Sequence, residues 1–138
     1  MSAHYAGARH GGQAQLSRYI LNNVKHTADY LAPVIGEFEQ LVLLSLLRLG
    51  NGAYGASIRR DIQERTIRDV SIGTIYMTLA RLEEKHLICS YVGDPSKYRG
   101  GRRRRHYLMD IGGQRALGRA YRTFKAMSEG LQQELEAL

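Results

Sequence analysis

Six basic side chains, Lys97, Arg99, Arg102, Arg103, Arg104 and Arg105, fall within nine positions of this chain. A guanidinium is a planar fork of donors that matches phosphate oxygens, so the chemistry written here is recognition of a polyanion. A second group lies upstream, where Ser71, Thr74, Tyr76 and Thr78 carry hydroxyls around Gly73, with Met77 and Arg81 following. Short hydroxyl side chains bond phosphates or base edges, and a glycine among them permits close approach.

Bond-making chemistry has no comparable arrangement. His4, His10, His26, His86 and His106 are scattered, with no pair at helical ligand spacing and no companion cysteines, so each reads as a surface or packing residue. Cys89 is the single cysteine, which excludes an internal disulfide and a thiolate cluster, and it is expected to be a small buried apolar residue. No Gly-rich loop precedes a Lys-Ser or Lys-Thr pair. Neither an enzyme, a metal nor a cofactor is expected.

The formal net charge of +7 over 138 residues also points to a polyanion, although composition does not separate DNA from RNA or from an acidic membrane surface. The positive field is local, because Ser128 to Leu138 carries Glu129, Glu134 and Glu136 and no basic residue. The longest apolar run, Leu41 to Leu49, contains Ser45 and Arg48 and falls well short of a bilayer span. Met1 to Gly12 has no apolar stretch of the kind a signal peptide carries. A cytoplasmic protein with no membrane partner is expected.

Positioning these groups requires a scaffold, and the periodicity of the apolar residues supplies one. Residues 1–13 read as a flexible arm, and residues 14–36 as an N-terminal helix and linker. In that helix Leu16, Ile20, Val24, Ala28 and Leu31 recur at three- or four-residue spacing until Pro33. Glu37 to Leu49 is apolar on nearly every side after Glu39, as for a helix wedged in a small core, and Gly50-Asn51-Gly52 stops it. A second helix runs from about Tyr54 to Glu64 with Ile58 and Ile62 inward. Ser71 is placed to N-cap a third, whose buried stripe is Ile72, Ile75, Leu79 and Leu82, leaving Thr74, Met77, Thr78 and Arg81 on the opposite side. Ile88 to Val92 and Arg103 to Met109 then form a hairpin with an arginine-rich return arm. Asp110 is a candidate N-cap for a final helix from Gln114, along which Leu117, Tyr121, Phe124, Ser128, Leu131, Leu135 and Leu138 step by four and three.

The fold class is therefore mostly α with a small β-hairpin wing: a winged helix-turn-helix over residues 37–111, plus N-terminal and C-terminal helices, the latter over 112–138. In that order of elements the third helix enters the major groove and the wing meets the backbone or a neighbouring groove. The candidate DNA-binding residues are Tyr54, Gly55, Ser71, Gly73, Thr74, Tyr76, Met77, Thr78, Arg81, Lys97, Arg102, Arg103, Arg104 and Arg105. The candidate dimerisation residues are Leu117, Tyr121, Phe124, Leu131 and Leu135 of the last helix, with Leu16, Ile20 and Val24 of the first.

Several separated stretches carry a family likeness in the right order. Tyr54-Gly55, Ser71-Ile-Gly-Thr-Ile-Tyr76, Arg81-Leu-Glu-Glu-Lys-His-Leu-Ile88 and Gly101-Arg-Arg-Arg-Arg-His-Tyr107-Leu resemble the PadR family of bacterial regulators over about Glu37 to Gly113. The resemblance implies a homodimer, generally a repressor, that binds double-stranded operator DNA through the winged helix and dimerises through the C-terminal helix. It also implies a small aromatic or drug-like effector, which releases some members from DNA. Met77 departs from the proline common after Tyr76, and Asp110 from a usual threonine. The chain has no tryptophan, so a drug pocket built on paired tryptophans does not carry over. The alternatives are a winged-helix protein-interaction module without specific DNA binding and a non-specific nucleic-acid coater.

Overall fold

The computed structural model describes residues 32–94 and 103–138. The expected N-terminal helix, with Leu16, Ile20 and Val24, lies outside the described residues up to residue 31, as do Lys97 and Arg102. From Ala32 onward the order is α1 (Glu37–Leu49), α2 (Gly55–Thr66), α3 (Ile72–Glu84), β1 (Ile88–Val92), β2 (Arg105–Met109), α4 (Ile111–Ser128) and α5 (Gln132–Glu136).

The three helices close around Val42, Leu43, Leu46, Ile58, Ile62, Ile75, Leu79 and Leu82, all buried. Burying an aliphatic side chain of this size is worth roughly 1.5 to 3 kcal/mol, so this cluster is the main driving force for the domain. The Glu39 side chain turns back to accept the Gly36 N–H at 3.1 Å, which covers a donor at the entry of α1. The exit of α1 is closed by Gly50, at φ 68°, whose N–H donates to the Leu46 carbonyl at 2.9 Å. Leu44 and Leu47 are exposed, so α1 buries one face and is not wrapped on nearly every side as its composition suggested.

β1 and β2 pair antiparallel, with Ile88 opposite Met109 and Val92 opposite Arg105, and the Gly93 N–H donates to the Arg104 carbonyl at 2.7 Å beyond the last pair. The return strand begins at Arg105, so Arg103 and Arg104 precede it instead of lying inside it. A bridge between Tyr54 and His106, with the Tyr107 N–H donating to the Ala53 carbonyl at 2.9 Å, ties the hairpin to the start of α2. Cys89 is exposed on β1 and not buried, because its side of the strand faces away from the core that holds Ile88.

Asp110 does flank the last long helix, but α4 starts at Ile111, three residues earlier than the periodicity indicated, and the Asp110 side chain makes no capping bond. Gly113 lets that first turn close on the hairpin base. A Cβ there would lie 2.2 Å from the Leu87 carbonyl oxygen. Leu117 is only 8% exposed and belongs to the domain's own core with Ala116, so it is not available for the subunit contact expected of it. The heptad seam also breaks. Glu129 is extended and Gly130 takes φ 81°, so α4 stops at Ser128, and Leu131 precedes and Leu135 lies on a separate short helix. Among the described residues no helix is long and apolar enough to cross a membrane.

Candidate nucleic-acid interface

The turn between α2 and α3 is short and held from both sides. The Arg59 Nε donates to the Val70 carbonyl at 2.7 Å, and the Thr66 hydroxyl bonds the Ile62 carbonyl at 2.7 Å. Ile67 takes the left-handed region at φ 53°. The turn delivers Ser71, whose Oγ accepts the Thr74 N–H at 3.1 Å and lies 2.8 Å from the Thr74 hydroxyl oxygen. Ser71 thus caps α3 as its residue type suggests, and its hydroxyl and that of Thr74 sit together at the exposed first turn. Amide donors of such a turn favour phosphate.

The outward surface of α3 is Gly73, Thr74, Met77, Ala80 and Arg81, with Tyr76 half exposed at its edge. Among the described residues a Cβ on Gly73 would approach only the Ser71 Oγ, at 3.9 Å, so none of them requires glycine there. Thr78 is not part of this surface. It is 0% exposed, and its Oγ1 donates to the Thr74 carbonyl one turn back at 2.8 Å. The buried stripe is 75, 78, 79 and 82, the i, i+3, i+4, i+7 face, and Ile72 at the helix start is partly exposed. Ala80, which polarity did not single out, occupies the outward position.

Gly55 is likewise buried. A Cβ added there would meet the Tyr76 ring at 2.7 Å, so Gly55 makes room for Tyr76 and has no surface to offer DNA. Tyr54 N-caps α2, where its N–H donates to the Ser57 Oγ at 3.0 Å.

On the wing, Arg103, Arg104 and Arg105 are all exposed. The Arg104 guanidinium lies 4.3 Å from the Tyr54 ring centroid. Arg105 takes the other face, where its Nη1 donates to the Ser90 Oγ at 3.0 Å and Ser90 in turn donates to the Glu83 carboxylate at 2.6 Å. His106 is buried, with Nδ1 2.8 Å from the Gly52 carbonyl and its ring stacked on Tyr91 at 5.2 Å. The Tyr91 hydroxyl donates to the Asn51 side chain at 2.6 Å. This joint between the hairpin and the α1–α2 turn was not singled out from sequence, although His106, immediately after the arginine run, is its visible trace.

Elsewhere, several cations are spent on the scaffold. Arg48 and Arg65 both bond Asp61 at 2.9 Å, Arg68 pairs with Glu37 at 2.7 Å, and Lys85 pairs with Glu39 at 2.9 Å. Burial alone would raise the Glu39 carboxyl, but Lys85 and the Gly36 N–H hold it below the usual range. Asp61 is lowered in the same way, burial being outweighed by Arg65 and Arg48. Burial pushes the Tyr107 phenol up. Among the described residues no group of three or more His, Cys, Asp or Glu is gathered as a metal site.

Residues 43–119 match the model of the transcriptional regulator PadR-like family. The chain belongs to this family. PadR-like proteins are transcription regulators and not enzymes. Among solved structures, the chain is similar to a PadR family transcription regulator from hypervirulent Clostridium difficile R20291, with 26% identity over 71% of this chain and 98% of that one and a TM-score of 0.58. A transcriptional regulator from Clostridium thermocellum is also 26% identical, covering 68% of this chain and 89% of that one at a TM-score of 0.54. A PadR family regulator from Eggerthella lenta, 19% identical, shares the fold over 92% of this chain and 98% of its own at a TM-score of 0.54. No curated protein matches the chain.

Proposed function

We propose that this PadR-like protein is a dimeric, sequence-specific DNA-binding repressor working in the cytoplasm. The observation that carries the reading is the pairing, on one small domain, of a capped α3 with an outward surface of Gly73, Thr74, Met77, Ala80 and Arg81 and a wing bearing Arg103 and Arg104. In this reading Gly73, Thr74, Met77 and Arg81 meet base edges, while Ser71, Tyr76 and the wing arginines, with Lys97 and Arg102 in the same run, meet phosphates.

Dimerisation is assigned to α4 and the residues after it. Phe124 and Met127 are 69% and 77% exposed, Tyr121 is exposed beside them, and Leu131 and Leu135, past the turn at Gly130, are exposed as well. An apolar surface of this kind marks an interaction site. The N-terminal stretch with Leu16, Ile20 and Val24 is proposed to enlarge the same interface. A groove of about 390 Å³ lined by Pro33, Ile35, Arg119, Phe124 and Met127 is of a size for a small aromatic effector.

A mobility-shift assay on the duplex upstream of the protein's own coding region, with unrelated competitor and graded salt, tests the reading. Retardation that resists competitor supports it. Retardation abolished equally by any competitor points to a non-specific coater, and absence of retardation points to a protein-interaction module.

A further inference from the structure

Between Thr74 and Arg81 the exposed positions of α3 are Tyr76, Met77 and Ala80. Tyr76 leans on the neighbouring helix, where a Cβ on Gly55 would fall 2.7 Å from its ring and 2.8 Å from its hydroxyl oxygen. The middle of the outward face is left to Met77, 66% exposed, and to Ala80 three residues on. Gly73, four residues before Met77, lies on the same side and adds no side chain. The Thr74 hydroxyl is 2.8 Å from the Ser71 Oγ, and the Thr78 hydroxyl is buried against its own helix. Over roughly 10 Å of helix, at about 1.5 Å per residue, the outward surface is therefore a methionine standing between two small residues. Polar side chains occupy its ends and its edge.

The chemistry of the major groove limits what such a surface can read. Guanine presents two acceptors there, cytosine and adenine an amino donor, and thymine alone adds a methyl group. A methionine pressed on the edge of a G·C pair would strip water from polar atoms and return no hydrogen bond, which is unfavourable. The same side chain against a thymine methyl buries apolar area on both partners, and its unbranched thioether adapts to the contact.

Resting on the DNA-binding reading above, we propose that Met77, backed by Ala80, is a specificity-determining residue that reads a thymine methyl, so that each operator half-site carries an A·T pair with its thymine against Met77. Gly73 and Ala80 keep the helix face low on either side, which lets the methionine reach the base edge.

The test uses the upstream duplex that the protein retards specifically, rebuilt with each thymine in turn replaced by uracil. That exchange removes the methyl and leaves every hydrogen-bonding atom in place. Wild type should lose about three- to fivefold in affinity at one thymine per half-site, the worth of one buried methyl. Met77→Ala and Met77→Gln, the second of similar length but polar, should each bind that uracil duplex and its parent within about twofold of one another. Both changes fall at an exposed position, so the fold is kept. A wild type indifferent to uracil at every thymine, or either variant keeping the full wild-type sensitivity at the same thymine, overturns this proposal and leaves the DNA-binding reading standing. A wild type that retards no duplex specifically overturns that reading and this proposal with it.

Discussion

A methyl group placed on Gly55 would stand 2.7 Å from the Tyr76 ring, so the start of α2 and the second turn of α3 are shaped against each other. Gly55→Ala is therefore expected to push the half-exposed Tyr76 ring aside and to destabilise the fold by about 1 kcal/mol, the low end of overpacking. Urea denaturation in a Tyr76→Ala background checks the cause. The penalty should shrink when the ring is gone, and an equal penalty in both backgrounds places its origin elsewhere.

Gly73 gives the opposite expectation, because among the described residues a Cβ there meets nothing nearer than the Ser71 Oγ at 3.9 Å. Gly73→Ala should leave the melting temperature unchanged or raise it, gaining up to about 1 kcal/mol from reduced chain entropy. DNA affinity should nonetheless fall if the backbone of α3 approaches DNA closely. A variant that binds as well as wild type argues against close approach at this turn.

Thr78 and Met77 should separate stability from selectivity. Thr78→Val keeps the volume and drops a buried hydroxyl that donates to the Thr74 carbonyl at 2.8 Å and accepts only a long 3.4 Å contact from Arg81, so operator preference should change little. Met77→Ala, at a site 66% exposed, should leave stability within about 0.5 kcal/mol, and should change preference among operator variants by roughly 1 to 3 kcal/mol at the base pair it touches. Binding of both variants to an operator library decides between them. Altered preference in Thr78→Val alone would reverse the assignment.

The subunit contact is tested by Phe124→Asp with Met127→Asp, two exposed positions of α4. Sedimentation should show monomers that retain the helical circular dichroism of the wild type. An intact dimer would move the interface off this face.

Acid should weaken the fold in a defined window. Glu39 and Asp61 are held below their ordinary values of 4.5 and 3.8, so the folded state binds fewer protons than the unfolded chain in that range. Their stabilisation is fully present above about pH 5 and is lost as pH falls through the lowered folded values. Glu39→Gln should flatten the decline of denaturation midpoint between about pH 5 and pH 3. An unchanged slope would show that the Lys85 pair contributes nothing to it.

How far the sequence reveals this protein depends on what each residue type can say alone. Ser71 was legible as a cap because a hydroxyl immediately before an apolar period has few other uses. Thr78 was not, because polarity placed it outward while the 75, 78, 79, 82 stripe and a bond to its own helix carried it inward. Gly55 announced a close approach without saying to what, and the partner is a side chain of the same protein. The four-and-three stepping of the last helix runs unbroken through Gly130, yet the backbone there turns. Periodicity records which residues share a face and not whether one helix carries them all. The His106 joint depends on residues 52, 54, 91 and 106 meeting across the fold, which no local window contains.

The wing is stitched to the helices from both sides, through Tyr54 and His106 to the α1–α2 turn and through Ser90 to Glu83 of α3. These contacts couple the hairpin strands to the helices, so the described elements are expected to move together as one body. In a dimer of such bodies, what an effector can adjust is the spacing and angle between two fixed readers. An effector seated beside Phe124 and Met127, against the surface proposed to join them, would act on that quantity without touching DNA or the wing.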